Sequence, residues 1–148
     1  MIPQGLEHHT AKADGVRLHY VAAGEGRPVI LLHGFPEFWY GWRSQIGPLV
    51  DSGFRVTAPD QRGYNTSDKP REISAYNLDI LADDVAALME SIGVERAAIV
   101  GHDWGGIVAW WVAARHPERV ERLAVLNAPH PIAFQRYIKT SLRQLLKS

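Results

Sequence analysis

Cysteine is missing from this sequence of 148 residues. Without a thiol the chain has no disulfide bond, no zinc–thiolate site and no cysteine nucleophile. A chain of this kind suits a reducing compartment, and we expect a cytoplasmic protein. The first ten residues favour the same location, because they contain neither the basic stretch nor the apolar core of a secretory signal peptide.

An excess of charge of one sign is also missing. Lys and Arg together number 16, Asp and Glu together number 16, and no basic run occurs. We therefore expect neither nucleic acid nor a membrane surface as a partner. No apolar stretch approaches the ~20 residues needed to cross a bilayer. Hydrophobic residues nevertheless make up 46% of the chain, which is typical of a soluble globular domain.

Short apolar runs along the chain predict strands. The turn Asp14-Gly15 joins residues 7–11 and 17–23 as an antiparallel hairpin. Four further runs show no polar alternation, which is typical of strands buried on both faces of a parallel sheet. These runs are residues 29–32, 55–58, 97–100 and 123–126.

The segments between these runs have helical periodicity. Residues 77–92 place apolar side chains at helical spacing and are followed by Gly93, a good C-cap residue. Residues 105–115 predict a second helix, ended by His116-Pro117. Strands that alternate with helices after an initial hairpin predict a doubly wound α/β fold. Residues 131–148 predict an amphipathic helix, which we expect to pack on protein.

The segment with the strongest chemical signal is Gly101-His102-Asp103-Trp104-Gly105-Gly106, between a predicted buried strand and a helix. A sharp turn here would place Asp103 at the carboxyl end of the sheet, where open α/β sheets bind ligands. Gly101 and Gly105 suit such a turn, because side chains at these positions would clash. We predict that Asp103 is a nucleophile. The alternative, a simple helix N-cap, does not require glycine on both sides.

A second turn, His33-Gly34-Phe35-Pro36-Glu37, follows the predicted strand at residues 29–32. At this place in the strand order, such a fold supplies the second backbone donor of an oxyanion hole. The N–H groups of Phe35 and Trp104 would then point at one oxygen. We interpret the nearby His33 and His102 as structural parts of the two backbone motifs, together with Gly34, Gly101 and Gly105.

These motifs resemble the successive signatures of the epoxide hydrolases of the α/β-hydrolase superfamily. The matching segments are residues 33–43, 60–64, 101–106 and 127–131, in family order. The resemblance implies the N-terminal half of an α/β-hydrolase core over residues 1–130. Residues 131–148 would then begin the cap segment. It also implies a cis peptide bond between Phe35 and Pro36.

The same resemblance assigns roles to individual residues. Asp103 would be the nucleophile, and Phe35 and Trp104 would supply the oxyanion-hole amides. We expect Phe35, Pro36, Trp104 and Trp39 to contact the substrate, although Trp39 is about equally well explained as a packing aromatic. Two further residues, Asp60 and Arg62, are predicted to form a structural ion pair that braces their loop.

The activity that the resemblance implies is the addition of water to a small-molecule epoxide, giving a vicinal diol through an ester on Asp103. No metal or organic cofactor is expected. In the family the histidine base, its acid partner and the cap tyrosines lie beyond the matched segments, and here Asn127 stands where some relatives place the acid. We therefore expect half of a catalytic apparatus, to be completed by a C-terminal segment or within a homo-oligomer.

Two alternatives remain open. A haloalkane or haloacid dehalogenase of the same fold would also use an aspartate nucleophile. The family pattern of haloalkane dehalogenases has a polar halide ligand where this chain has Phe35, which disfavours that reading. The second alternative is a non-catalytic half-domain that assembles with another chain, because a half-sheet would leave a strand edge and an apolar face uncovered.

Overall fold

The computed structural model describes residues 5–145, and the side-chain surroundings of residues 5–140. Within these residues the strands form one sheet, in the order β1-β2-β4-β3-β5-β6. The strands are Glu7–Ala13 (β1), Val16–Ala23 (β2), Arg27–Leu32 (β3), Phe54–Pro59 (β4), Ala97–His102 (β5) and Val120–Leu126 (β6). The pairs β1–β2 and β2–β4 are antiparallel, whereas β3 pairs in parallel with β4 and β5, and β5 with β6. The predicted hairpin and the mostly parallel α/β sheet are both confirmed.

Helices connect the parallel strands. They are Arg43–Asp51 (α1), Leu78–Ser91 (α2), Trp104–Arg115 (α3) and Pro131–Leu145 (α4). The helix predicted over residues 77–92 is α2, and Asn77 caps it, because its Oδ1 accepts a hydrogen bond from the Ile80 amide at 3.0 Å. Gly93 follows the last turn with φ 68°, the left-handed conformation expected just past a helix end.

The two faces of β3 explain why its sequence lacks polar alternation. Ile30 and Leu32 pack with α2 and α3 in one hydrophobic cluster, whereas Val29 and Leu31 pack with α1 in another. All four side chains are almost fully buried. A central strand that contributes to both layers needs apolar residues at every position.

The α1 face of the sheet is less completely covered than the α2–α3 face. A groove of about 430 Å³ lies between α1 and strands β3, β5 and β6, and its lining includes Trp42, Leu49, Val100 and Leu126. Leu126 is 44% exposed at the end of β6. No helix in the described part of the chain is long and apolar enough to span a bilayer.

The predicted amphipathic helix is present as α4, but its expected packing is not seen for the side chains that the structure describes, which end at residue 140. Through residue 140 its large apolar side chains are exposed: Ile132, Phe134, Tyr137 and Ile138. Residues 1–4 and 146–148, which include the start of the chain and the end of this predicted helix, lie outside the described residues.

Candidate active site

The turn between β5 and α3, residues 101–105, is called the elbow here. Asp103 stands at its apex with φ 53° and ψ −120°, a backbone conformation that residues other than glycine rarely adopt. A Cβ on Gly101 would overlap the carbonyl group of Gly105, and a Cβ on Gly105 would overlap the carbonyl oxygens of Leu32 and His33. The elbow therefore requires glycine at both positions for the steric reason expected from the sequence.

Opposite the elbow lie residues 33–37, called the facing turn. The peptide bond between Phe35 and Pro36 is cis, as the resemblance implied. The Phe35 amide donates a hydrogen bond to Oδ1 of Asp103 at 3.0 Å. A Cβ on Gly34 would stand 2.7 Å from the Asp103 Cβ, so glycine is what allows the facing turn to approach the elbow this closely.

The backbone surroundings of Asp103 favour its ionised form. The hydrogen bond from the Phe35 amide, followed by that from the Trp104 amide, lowers the pKa of Asp103 below its ordinary value. Burial opposes this lowering, and the charge of His102 adds a smaller effect in the same direction as the amides. Donors that stabilise a carboxylate also stabilise an oxyanion formed at the same place. The amides of Phe35 and Trp104 thus act as backbone donors beside the Asp103 carboxylate.

A polar bridge links the facing turn to the elbow. Oε2 of Glu37 accepts from the Gly34 amide at 3.2 Å and lies 3.2 Å from Nδ1 of His102. The other ring nitrogen of His102 lies 3.4 Å from Nδ2 of Asn127, which follows β6 with φ 54°. His102 is therefore held between two neighbours, which fits the structural role predicted for it.

His33 is held by a residue that the sequence interpretation did not single out. The Gln61 backbone amide donates to Nε2 of His33 at 3.0 Å, and the Gln61 side chain donates to the His33 carbonyl at 2.6 Å. The His33 ring is fully buried, and its Nδ1 lies 2.8 Å from the Gly34 carbonyl oxygen. The one available signal was position, because Gln61 is the second residue after the carboxyl end of β4.

The prediction that Asp60 and Arg62 pair with each other is wrong. Oδ2 of Asp60, which is fully buried, lies 2.7 Å from Nδ1 of His19, and its Oδ1 accepts from the Trp39 amide at 3.0 Å. Arg62 instead forms a two-pronged ion pair with Asp84 on α2, at 2.8 and 2.7 Å. Both residues do brace their loop, but each does so through a partner far away in the sequence.

The aromatic residues near the site divide into exposed and buried ones. Phe35 and Trp104 are 65% and 56% exposed beside Asp103, and Pro36 is exposed next to them. Trp39 is only 6% exposed and packs in the α1-side cluster with Val21. The expected substrate contact of Trp39 is therefore corrected to a packing role, because the core occupies its surface.

In the described part of the chain no group of three or more histidine, aspartate or glutamate side chains is placed to hold a metal ion.

A mostly parallel sheet that carries an acidic residue at a strand-to-helix elbow, opposite a backbone donor after β3, defines a hydrolase-type α/β architecture. Comparison with known families agrees with this class. Residues 27–145 match the family described as alpha/beta hydrolase fold, and the chain belongs to that family.

Relatives within the family include epoxide hydrolases. An AB hydrolase superfamily protein of Bacillus subtilis is 49% identical over 97% of this chain and 51% of its own length. The human protein named Epoxide hydrolase 4 is 49% identical over 93% of this chain and 38% of its own length. The crystal structure of an epoxide hydrolase from Vigna radiata superposes with a TM-score of 0.83 at 42% identity, over 85% of this chain and 39% of that one. The chain thus spans about half or less of the length of these proteins.

Proposed function

We propose that this protein contributes the nucleophile half of an epoxide hydrolase, in which Asp103 opens the epoxide and water then releases the diol. The observation that carries the proposal is the Asp103 carboxylate at the elbow, with the Phe35 amide donating to it at 3.0 Å. The names of the similar human and Vigna radiata proteins support the choice of substrate class.

The first step needs an ionised nucleophile and no base. Asp103 meets this need at neutral pH, because the amides of Phe35 and Trp104 lower its pKa. With Oδ1 held by the Phe35 amide, the proposal assigns the attack to Oδ2. A new bond forms between this oxygen and an epoxide carbon, the ring C–O bond breaks, and the ring oxygen takes a proton from an acid or from water. The product is a hydroxyalkyl ester on Asp103.

In the second step a water molecule attacks the ester carbonyl. Negative charge develops on the carbonyl oxygen, and the amides of Phe35 and Trp104 stabilise it. Collapse of this intermediate breaks the bond to the alkyl oxygen, releases the diol and leaves the oxygen of the water in the Asp103 carboxylate. The attacking water must lose a proton to a base, for which histidine is the usual choice.

The described histidines are engaged away from the Asp103 carboxylate. His33 is buried against Gln61, and His102 lies between Glu37 and Asn127. The remaining five contact other partners: His8, His9, His19, His116 and His130. We therefore propose that the base comes from a complementing C-terminal segment or from another chain. Residues 1–130 would then be the N-terminal half of the core, and residues 131–148 the start of the cap segment.

The rim of the site favours an epoxide with an apolar substituent. The exposed rings of Phe35 and Trp104 flank Asp103, and Pro36 extends this apolar surface. Apolar side chains beside a reacting group bind hydrophobic substituents and exclude water. The same observation disfavours a dehalogenase, because the Phe35 side chain offers no donor to a halide ion.

The first test is single-turnover alkylation of the protein with styrene oxide as the probe, followed by intact-mass and peptide analysis. The expected adduct has the mass of the whole epoxide, because no group leaves, and it maps to Asp103. In ¹⁸O-labelled water, hydrolysis of the ester should place the label in the Asp103 carboxylate. The variant Asp103→Asn should give no adduct.

The matched control is Asp51→Asn, which changes an exposed aspartate at the end of α1 and should form the adduct normally. Release of halide from a haloalkane, without an adduct from styrene oxide, would favour the dehalogenase. Absence of either reaction in the presence of all associated chains would favour the non-catalytic half-domain.

A further inference from the structure

The two amides that face Asp103 belong to different elements. The Phe35 amide follows β3 and the Trp104 amide opens α3, so local chain geometry does not fix their separation. The two elements meet where Gly105 lies against the carbonyl oxygens of Leu32 and His33, with no room for a Cβ. The His33 carbonyl is therefore a fixed point between the facing turn and the elbow.

Gln61 holds His33 at this point from two sides. Its side-chain Nε2 donates to the His33 carbonyl oxygen at 2.6 Å, and its backbone amide donates to the His33 ring at 3.0 Å. One residue from the loop after β4 thus ties down both the main chain and the side chain of the residue that begins the facing turn.

The His33 ring in turn constrains the peptide group between Gly34 and Phe35. A backbone N–H can only donate, so Nε2 of His33 must accept from Gln61, and Nδ1 must carry the proton. Nδ1 then donates to the Gly34 carbonyl oxygen, 2.8 Å away. Burial lowers the pKa of His33, which keeps the ring in this neutral form. The edge-on ring of Tyr64, 4.7 Å from the His33 ring, limits its rotation.

The Gly34 carbonyl and the Phe35 N–H belong to the same planar peptide group. Because that plane is rigid, a hydrogen bond that fixes the direction of the carbonyl also fixes the opposite direction of the N–H. The Phe35 N–H is the group that donates to Asp103 at 3.0 Å. A continuous path of contacts therefore runs from Gln61 through His33 to the Asp103 carboxylate.

We propose that Gln61 is a positioning residue that sets, through His33, the direction of the Phe35 amide and its distance from the Trp104 amide. Gln61 acts without touching the substrate. The inference rests on the proposed function in treating these two amides as an oxyanion hole. Their alignment matters most when charge develops on the ester oxygen, so loss of Gln61 should slow ester hydrolysis more than ester formation.

The decisive experiment measures Asp103 directly, without turnover. The variant Gln61→Met keeps the length of the side chain and removes its donor, and Gln61→Asn keeps the amide but is too short to reach the His33 carbonyl. Gln45→Met makes the same chemical change on the exposed surface of α1 and is the matched control. The readouts are the ¹³C titration of the Asp103 carboxyl group and the ¹H–¹⁵N signal of the Phe35 amide.

We expect both Gln61 variants to raise the pKa of Asp103 and to shift the Phe35 amide signal. The acid dissociation constant of Asp103 should fall by about fivefold, the change that loss of one ordinary hydrogen bond produces. In single-turnover assays of the complete enzyme, hydrolysis of the Asp103 ester should slow by about tenfold while its formation changes little. Gln45→Met should match the wild type in every readout.

Folded Gln61→Met or Gln61→Asn protein with an unchanged Asp103 titration and Phe35 signal would overturn the inference. If Gln61→Met does not fold, the more conservative Gln61→Asn decides the outcome. A shifted titration in a protein that never forms an ester from styrene oxide would retain the positioning role and refute the proposed function. The two ideas can therefore fail separately.

Discussion

The elbow and the facing turn lie on opposite sides of Asp103, and different interactions hold them in place. At the elbow, Gly101 and Gly105 allow main-chain atoms to approach closely, and a Cβ at either position would overlap a carbonyl oxygen. The facing turn depends on side chains that donate to or accept from its backbone. These side chains are Glu37, Gln61 and, at the following Trp39, Asp60.

This difference predicts two kinds of response to substitution. At the elbow, main-chain atoms are packed so closely that they cannot shift slightly to accept an added side chain. A substitution there should therefore disrupt the whole turn. Hydrogen bonds at the facing turn can be removed one at a time, each at a cost of about 1 kcal/mol. The elbow fixes where the Asp103 carboxylate stands, whereas the position of the facing turn can change gradually.

The largest effect is expected from Arg62→Met, a buried charged pair outside both turns that gives the upper limit for the comparison. Arg62 and Asp84 are each only 5% exposed in their side chains, so the variant leaves a buried carboxylate without its partner. We expect a loss of about 3–5 kcal/mol in the free energy of unfolding, measured by urea denaturation. The double variant Arg62→Met/Asp84→Leu should recover most of that loss. A loss below about 1 kcal/mol in the single variant would show that the pair behaves as a surface ion pair.

The next largest effect is expected from Gly105→Ala, which tests the steric side. The added methyl group would overlap the Leu32 and His33 carbonyl oxygens, and we expect a loss of about 3 kcal/mol in stability. Gly93→Ala is the matched control, because Gly93 has φ 68° and open space around it. That control should lose only about 1 kcal/mol, from backbone strain. Equal losses in the two variants would contradict the steric account of the elbow.

A smaller effect should appear as a dependence of stability on pH. The amides of Phe35 and Trp104 lower the pKa of Asp103 in the folded protein. A carboxyl group of this kind stabilises the fold above its unfolded pKa and loses that contribution as the pH falls through its folded value. The wild type should therefore lose stability relative to Asp103→Asn as the pH falls below 3.8, the ordinary value. A pH-independent difference between the two unfolding free energies would argue against donation by these amides.

The smallest effect is expected from Glu37→Gln. The Glu37 side chain is 40% exposed, and the side chain of its partner His102 is 32% exposed. Water therefore screens the attraction between them. We expect a loss below about 1 kcal/mol, measured by urea denaturation. Glutamine keeps an oxygen that can accept from the Gly34 amide. A loss as large as that of Gly105→Ala would mean that the bridge, and not the glycine contacts, joins the two sides of the site.

The strands, the main helices and the elbow could be predicted because their signals are local. In a run such as Val29-Ile30-Leu31-Leu32, four adjacent apolar residues are enough to indicate a strand buried on both faces. The glycines of the elbow flank Asp103 within two positions, and the strand before it is equally evident. Patterns of this length do not depend on which distant segment becomes a neighbour.

The polar contacts were not predictable in the same way. His19 and Asp60 are 41 positions apart, Arg62 and Asp84 are 22 apart, and Gln61 and His33 are 28 apart. Each pair forms only because the sheet brings separate strand ends and helices together. The closeness of Asp60 and Arg62 in the sequence suggested that they pair, although the fold gives each of them another partner. Trp39 was likewise expected to contact the substrate, but α1 and the sheet enclose its side chain.

The order of the strands also dictates when the site comes into existence during synthesis. The Phe35 amide and Asp103 are 68 positions apart, and β3 lies between β4 and β5. A growing chain that has completed β4 already carries the donors of the facing turn, but one edge of β3 is still open. When Ala97–His102 adds to that edge, it brings Asp103 against the Phe35 amide, which is already present. The Asp103 carboxylate therefore meets the Phe35 amide only when this strand joins the sheet, and the Trp104 amide follows as α3 begins.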